Sequence, residues 1–265
     1  MNLGNVSLPA QTLARHAILL GQSGSGKTVL SKVLVEELIR SGTRVVCIDC
    51  QGDLGGLAIA GECGDPGITL GYFDNPYPEL TRVPPDIDSL QPGQLAILNT
   101  TLADSDAKQE GLVGETADRI YRWMLRNASE ALQLVFLIDE AAMFLPATRK
   151  PSCKEPILRL LKQGRKFGIG VMVATQNPGD LDYKGMGQAG TWFLGRLTTP
   201  QDLDRVGILD RYRDLAGELP TLTTGEFIVV SPDNLPEPGR LKVRRLVSLH
   251  KTLSPDEFDA LARLA

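Results

Sequence analysis

The feature that most constrains this chain is a glycine-rich run, Gly21-Gln22-Ser23-Gly24-Ser25-Gly26-Lys27-Thr28. It fits the pattern G-x-x-x-x-G-K-[ST], and it lies between an apolar, strand-like run and a segment with helical spacing. In that setting, the glycines let successive backbone N–H groups surround phosphate oxygens, and the dipole of the following helix adds positive charge. The sequence therefore predicts a nucleoside triphosphate site on a strand–loop–helix unit.

This loop predicts a set of nucleotide contacts. Lys27 is expected to reach the β- and γ-phosphates, and the Thr28 hydroxyl is expected to hold a metal ion. The implied cofactors are ATP and Mg²⁺. The predicted nucleotide-binding residues are Gly21, Ser23, Gly24, Ser25, Gly26, Lys27, Thr28 and Val29.

Two further strand-like runs end in polar residues. The apolar run 134–138 precedes Asp139 and Glu140. Asp139 is expected to hold Mg²⁺, and Glu140 to polarise a water for in-line attack on the γ-phosphate, which favours hydrolysis over transfer to a second substrate. Gln176 follows the apolar run 170–175. It is predicted to contact the γ-phosphate or the attacking water, although a turn residue that caps a strand is the simpler alternative.

Strand-like and helical segments alternate along the chain, which is typical of a parallel sheet with crossover helices. Strands are predicted at 17–21, 44–49, 94–99, 133–139, 169–175, 191–197, 225–231 and 241–249. Helices are predicted at 27–40, 105–128, 154–166 and 201–210, and a last one is predicted after the capping box of Ser254-Pro255-Asp256-Glu257. The simplest organisation is a single domain, 1–265, with a loop-rich excursion at 51–93 and C-terminal strands and a helix at 225–265.

Composition indicates where the chain is located in the cell and which state its cysteines have. The apolar stretches have only strand length, and the N-terminus lacks a signal-peptide pattern, so we expect a cytoplasmic chain with no membrane partner. Cys47-Ile48-Asp49-Cys50 has the spacing of a zinc or redox pair. However, a second pair is missing and the chain contains only 2 histidines, so buried reduced cysteines, Cys63 and Cys153 included, are favoured.

The charge distribution leaves two interpretations open. The net charge of −4 argues mildly against a general nucleic-acid coat. Yet the segment 149–166 contains one acidic residue, Glu155, among many basic ones. A solvated helix face and a strip that faces a phosphate backbone both explain such a run. Its basic residues are Arg149, Lys150, Lys154, Arg159, Lys162, Arg165 and Lys166.

Several segments give the chain a family resemblance: Gly21–Thr28, Val46–Leu54, Phe136–Pro146, Gln163–Lys184 and Gly190–Leu197. In these segments the chain resembles the HerA–FtsK superfamily of P-loop motor ATPases, and most closely its HerA-like members. The resemblance implies a RecA-like α/β fold of the additional-strand type, with a mainly parallel sheet and helices on both faces. It also implies a hexameric ring, ATP-driven movement along double-stranded DNA and, often, a nuclease partner.

The resemblance also assigns roles to individual residues. The phosphate loop with Lys27 and Thr28 matches the Walker A motif, the pair Asp139-Glu140 matches the Walker B motif, and Gln176 matches a sensor glutamine. The basic run 149–166 occupies an insert that in such rings approaches the central channel.

Arginines complete the sites of such ATPases across subunit interfaces. Arg165 lies where the family places a trans-acting arginine, Arg15 is a second candidate, and Arg196 is a third. Asp49 and Asp53 match an acidic strand-end motif, but Cys50-Gln51 replaces its common Pro-Lys pair.

Three functions are compatible with these residues. The first is an oligomeric ATPase that translocates DNA, and the second is an ATPase of the same fold that acts on a protein partner or as an assembly switch. The third, a nucleotide-binding module without turnover, is disfavoured by Glu140. HerA has a β-barrel ahead of its motor, whereas here the first strand is predicted at 17–21. That departure and the acidic net charge favour the second function and leave coupling to a nuclease open.

Overall fold

The structure is a computed structural model that describes residues 1–59, 79–182, 187 and 189–263. Cys63, and Tyr183 and Lys184 at the end of one resembling segment, lie outside the described residues. Within the described part, the strands are β1 Ala17–Leu20, β2 Arg44–Asp49, β3 Glu79–Thr81, β4 Leu95–Asn99, β5 Leu134–Ile138, β6 Ile169–Thr175, β7 Thr191–Leu194, β8 Glu226–Val230 and β9 Gly239–Lys242.

These strands form one sheet in the order β3-β4-β2-β5-β6-β1-β7-β8-β9. From β3 to β7 every neighbouring pair is parallel, and β8 and β9 are added antiparallel at one end. The expected mainly parallel α/β sheet is thus confirmed. The parallel order brings the carboxyl ends of β1, β6 and β5 to the same edge of the sheet, and this edge carries the candidate site.

Helices cover both faces of the sheet, as expected. Their bounds are α1 Lys27–Arg40, α2 Asp106–Arg126, α3 Lys154–Gln163, α4 Pro200–Asp204, α5 Leu215–Glu218 and α6 Pro255–Ala262. Alternate strand residues point to opposite faces, so Leu19 packs in the core under α1 while Leu20 packs in the core under α2 and α3. The predicted capping box of α6 is confirmed, because the side chains of Ser254 and Glu257 bind each other's backbone N–H. No helix in the described ranges is both long and apolar enough to cross a membrane.

The predicted strand at 241–249 is wrong beyond Lys242, where β9 ends. The backbone N–H groups of Val247 and Ser248 donate instead to the buried carboxylate of Glu36 on α1, at 3.0 and 2.8 Å. Arg244 also binds Glu36, at 2.8 Å. A side chain distant in sequence therefore satisfies the backbone groups that a strand ladder would have paired.

Two helices and one loop also differ from expectation. The segment 201–210 is divided into α4 and a 3₁₀ turn, Gly207–Asp210, because Val206 between them leaves the helical conformation and is buried. The helix predicted at 154–166 ends at Gln163 and continues as the 3₁₀ turn Gly164–Phe167. Finally, the excursion at 51–93 contains the short edge strand β3, which pairs with β4.

Candidate functional site

The glycine-rich run forms the predicted loop between β1 and α1. Gly24 and Gly26 have φ angles of +74° and +97°, a left-handed backbone that favours glycine. A Cβ on Gly26 would also lie 3.0 Å from the amide nitrogen of Gly225. Lys27 and Thr28 begin α1, so their backbone N–H groups belong to the unpaired first turn of the helix. This is the geometry that the motif needs to bind an anion.

Lys27 is buried, and its ammonium group points back over the loop. Its Nζ donates to the carbonyl oxygens of Gly21 and Gln22, at 2.5 and 3.3 Å. Burial lowers the pKa of Lys27, and the charges of Glu140 and Asp139 oppose that shift. The charge of Lys27 in the loop therefore interacts with the charges of the two carboxylates at the end of β5.

Asp139 and Glu140 follow β5 at the same edge of the sheet. Burial, and next the charge of Asp49, raise the pKa of Asp139 to about 7. A nearby cation would stabilise the charged form of this buried carboxyl group and lower its pKa. Glu140 has a φ of +47°, which is uncommon for a residue with a side chain, and its Oε1 accepts a hydrogen bond from the Thr175 hydroxyl at 3.3 Å.

Gln176 leaves the sheet between the loop and the acid pair. β6 lies between β1 and β5, and Leu20 of β1 is paired with Thr175 of β6. Gly21 and Gln176 are the next residues along each strand, so they leave the sheet side by side. The structure therefore brings together the phosphate loop, the acid pair and Gln176, as the sequence predicts.

Comparison with solved structures agrees with this architecture. The genome packaging NTPase B204 from Sulfolobus turreted icosahedral virus 2, solved with ATPγS, superposes with a TM-score of 0.57 and 18% sequence identity. The match covers 88% of this chain and 98% of that chain. At this identity, the likeness shows a common P-loop NTPase fold.

Sequence comparison finds HerA-like relatives for part of the chain. The model for the "Helicase HerA-like C-terminal" family matches residues 2–68. A probable helicase of Methanocaldococcus jannaschii is 29% identical over 149 residues, which are 51% of this chain and 28% of that protein. The DNA double-strand break repair helicase HerA of Pyrococcus furiosus is 28% identical over 102 residues, 38% of this chain and 18% of that protein. Together, these partial matches support a HerA–FtsK superfamily ATPase.

The HerA relatives and the packaging NTPase neighbour indicate an ATPase. The chain spans less than a third of the length of the curated relatives it matches, with 18% to 30% of their lengths aligned. The residues for which the resemblance implies Walker A, Walker B and sensor roles all lie within the described residues.

The acidic strand-end residue Asp49 has a structural role in this fold. Asp49 is fully buried at the end of β2, and its carboxylate accepts hydrogen bonds from the backbone N–H groups of Gly52, Asp53 and Leu54, at 2.8 to 3.1 Å. It fixes the loop that follows β2 and, through its charge, raises the pKa of Asp139. The neighbouring Cys50 thiol lies 3.6 Å from the Asp139 carbonyl oxygen, and burial raises its pKa.

The three candidate arginines lie at two different edges of the sheet. Arg15 lies two residues before β1 and Arg165 four residues before β6, so both lie at the amino edge, opposite the phosphate loop. They line a cavity of about 920 Å³ together with Lys166 and Asp233, and Asp233 forms an ion pair with Arg15. Arg196 instead follows β7 at the carboxyl edge.

Arg196 lies beside the phosphate loop of its own chain. Its carbonyl oxygen accepts a hydrogen bond from the Gln22 amide at 2.9 Å. Its Nε is buried and has no hydrogen-bond partner among the described residues. Arg196 therefore fits a role within its own subunit better than a role across an interface.

The basic residues of the segment 149–166 do not form one continuous exposed surface. Lys154 is buried, and its Nζ bonds with the Asp182 carboxylate at 2.8 Å and the Pro146 carbonyl at 2.6 Å. Arg159 contacts both Asp118 and the ring of Tyr121 on α2. Neither interpretation of the run, a solvated helix face or a strip that faces a phosphate backbone, fits Lys154, because its side chain is buried. Arg149 is exposed and pairs with Glu110 at 3.7 Å. The remaining exposed basic residues, at the two ends of the run, are Lys150, Lys162, Arg165 and Lys166.

Lys154→Ala is expected to lower the free energy of unfolding by about 2–4 kcal/mol, because it removes the buried ammonium group that contacts the Asp182 carboxylate and the Pro146 carbonyl. Chemical denaturation of the purified chain measures this. The matched control is Lys162→Ala on the same helix, for which a change within about 0.5 kcal/mol is expected because that side chain is exposed. Equal losses in both variants would contradict a structural role for Lys154.

Sequence reasoning missed the two segments that hold the phosphate loop. Residues 195–198 follow β7, and there the Gly195 amide donates to the Leu20 carbonyl at 2.7 Å and the Thr198 hydroxyl donates to Gln22 Oε1 at 3.0 Å. On the other side, residues 223–225 precede β8 and bind the carbonyl oxygens of Gly24 and Ser25. Their positions depend on the order of β7 and β8 in the sheet, so a linear motif gives little sign of them.

Proposed function

We propose that the chain is an ATP-hydrolysing motor of the HerA–FtsK type, which acts as an oligomeric ring, a hexamer by the family's pattern, and moves double-stranded DNA. The observation that carries the proposal is the arrangement at the carboxyl edge, where the phosphate loop, Gln176 and the pair Asp139-Glu140 leave neighbouring strands. Three groups needed for hydrolysis, namely a phosphate cradle, a sensor and a general base, are then side by side.

The residues fit ATP with Mg²⁺. Within the phosphate loop, Ser25 Oγ is buried and has no hydrogen-bond partner among the described residues, as expected where a ligand supplies one. The Thr28 hydroxyl and the Asp139 carboxylate are the hard oxygen donors that Mg²⁺ prefers. Bound Mg²⁺ would neutralise the charge that develops on the β- and γ-phosphate oxygens.

Each side chain then has a definite task in hydrolysis. Lys27 exchanges its carbonyl contacts for phosphate oxygens. Glu140, held by the Thr175 hydroxyl, accepts a proton from the attacking water. Gln176 contacts the γ-phosphate or that water and reports the state of the nucleotide.

The positions of the arginines support an oligomer. Arg165 precedes β6, whereas the phosphate loop lies beyond its far end, and a strand of 7 residues spans about 23 Å. Arg165 is thus too far from the nucleotide of its own chain. In a head-to-tail ring, the amino edge of one subunit faces the carboxyl edge of the next, and Arg165 then stabilises the transition state in trans.

Double-stranded DNA is the proposed substrate because relatives matched here are named DNA double-strand break repair helicases. The exposed residues Lys150, Lys162 and Lys166 are the proposed backbone contacts. The triple change of these lysines to glutamine is expected to weaken DNA binding and to reduce its salt dependence. The slope of log affinity against log salt falls by about 0.9 for each phosphate that a lysine no longer neutralises. Binding to duplex DNA by fluorescence anisotropy over a salt series measures this, and an unchanged slope would contradict the assignment.

A second candidate is an ATPase of the same fold that acts on a protein partner or as an assembly switch. The ion pairs that occupy Lys154 and Arg159, together with the net charge of −4, favour it. With such a partner, the triple lysine variant would keep its full turnover and its partner binding. A nuclease partner belongs to the first candidate and is proposed from the family pattern alone.

The deciding experiment measures ATP hydrolysis by the purified chain with and without duplex DNA at low salt, and its mass in solution with ATP and Mg²⁺. The motor account predicts a ring-sized species with turnover that DNA stimulates and salt suppresses. Turnover that is indifferent to DNA would favour the second candidate. A monomer with no turnover under any condition would overturn both.

A further inference from the structure

The turn Thr223-Thr224-Gly225, which joins the 3₁₀ turn Leu219–Thr221 to β8, lies directly against the phosphate loop. The Thr224 hydroxyl donates to the Gly24 carbonyl oxygen at 2.8 Å, and the Gly225 amide donates to the Ser25 carbonyl oxygen at 2.9 Å. The two backbones touch, because a Cβ on Gly26 would lie 3.0 Å from the Gly225 nitrogen and 3.2 Å from its Cα.

These bonds go to the side of the loop that faces away from a phosphate. A phosphate loop binds its ligand through backbone N–H groups that point inward, so the carbonyl oxygens of the same peptide units point outward. An outward carbonyl that is held in place fixes the plane of its peptide and therefore the direction of the N–H that follows. The turn supplies one donor to each of two consecutive carbonyl groups. The Ser25 amide, which follows the Gly24 carbonyl, donates to the Gln22 carbonyl at 3.1 Å, so the bond from Thr224 supports the turn of the loop itself. The bond from Gly225 to the Ser25 carbonyl sets the direction of the Gly26 amide.

The turn is itself held firmly. The Thr223 amide and hydroxyl both donate to Glu226 Oε2, at 2.9 and 2.7 Å, and Arg240 of β9 donates to the same oxygen at 3.0 Å. The Gly225 carbonyl accepts from the Val243 amide at 2.9 Å. The chain of hydrogen bonds from the phosphate loop through the turn to the β8–β9 hairpin is therefore continuous.

We infer that Thr224 and Gly225 are positioning residues for the nucleotide, which pre-orient the backbone N–H groups of the phosphate loop from behind. Neither side chain nor backbone of the turn needs to touch the ligand. This inference rests on the proposed function only in that the loop binds the phosphates of ATP. It requires neither a ring, nor DNA, nor hydrolysis, and it connects nucleotide binding to the C-terminal hairpin.

The substitution Gly225→Ala tests whether the backbone of the turn positions the phosphate loop. Gly225 has a φ of +79°, and an added Cβ meets no atom of the described residues within 4 Å, so the substitution acts through backbone strain alone. Gly42 is a matched control, since it has a φ of +81° and an equally open site, but it lies beyond the far end of α1. We expect Gly225→Ala to weaken ADP and ATP binding about three- to ten-fold, and Gly42→Ala to leave both affinities within about twofold.

Substitutions of Thr224 test whether its hydroxyl group positions the phosphate loop. Thr224→Val keeps the shape but loses the donor, and the bond is exposed to solvent, so we expect a rise of about two- to five-fold in the KM for ATP with kcat nearly unchanged. Thr224→Ser keeps the hydroxyl and is expected to restore the wild-type KM. Thr221→Val, whose hydroxyl bonds to the Glu218 carbonyl away from the loop, is the control.

Equilibrium binding of fluorescent ADP to the full chain, together with thermal unfolding without nucleotide, reads out all five variants. The inference is overturned if Gly225→Ala and Gly42→Ala bind ADP equally well, or if serine at position 224 behaves as valine does. A lower unfolding temperature with unchanged affinity would also overturn it, since that is the mark of a merely structural turn. Failure of the wild-type chain itself to bind ADP would instead reject the proposed function.

Discussion

Glu140→Gln is expected to reduce steady-state ATP hydrolysis at least about a hundredfold while leaving ATP binding intact. The amide keeps the size of the side chain and its oxygen still accepts from the Thr175 hydroxyl, but it cannot accept a proton from the attacking water. The chain should therefore retain ATP and release almost no phosphate. Phosphate release and equilibrium binding of ATP, measured on the same preparation, test the two halves of this expectation.

A matched control is Glu155→Gln, which makes the same chemical change at an exposed position on α3. It should hydrolyse ATP at the wild-type rate. Wild-type turnover by Glu140→Gln would show that Glu140 is not the general base. Loss of both turnover and binding would assign it a structural role at the end of β5, where its φ of +47° fixes an uncommon backbone.

Arg165→Ala is expected to reduce turnover about a thousandfold, the range of an arginine supplied in trans, with ATP binding by each subunit preserved. The physical reason is its position at the amino edge, where it cannot reach the nucleotide of its own chain. The adjacent Lys166→Ala is the control, since both residues are exposed on the same turn. It should retain turnover without DNA.

Mixing the two inactive variants separates a trans role from a defect within one subunit. In a mixed ring, some interfaces combine Arg165 from a Glu140→Gln subunit with Glu140 from an Arg165→Ala subunit, and these interfaces are complete. Partial recovery of hydrolysis on mixing is therefore expected. A mixture as inactive as its components would contradict the assignment of Arg165, and the Arg15→Ala variant would then be mixed in the same way.

The phosphate loop was predictable because its conformation depends on local chemistry. Glycines at positions 24 and 26 are needed for a left-handed backbone, and lysine and threonine begin the helix. The capping box of Ser254 and Glu257 was predictable for the same reason, since its partners are three residues apart. Asp139, Glu140 and Gln176 were predicted because each lies at the end of an apolar, strand-like run, and the parallel order of the strands then places these ends at one edge.

What the sequence did not reveal depends on partners far along the chain. Residues 243–249 have strand-like composition, but Glu36, about two hundred residues earlier, satisfies the amides of Val247 and Ser248. Lys154 looked like a surface cation until the fold brought Asp182 within 2.8 Å of it. The hydrogen bond from Thr224 to the phosphate loop likewise exists only because β8 is added to the sheet beside β7. Local rules therefore found the nucleotide loop, and the tertiary fold determined what surrounds it.

Displacement of a third strand from a triplex-bearing duplex by the purified chain tests the central claim most directly, because only movement along the duplex removes that strand. The account predicts displacement that requires ATP and Mg²⁺, that decreases as salt rises, and that is abolished in Glu140→Gln. Vigorous ATP hydrolysis by a ring-sized species that leaves the third strand in place would contradict translocation of double-stranded DNA.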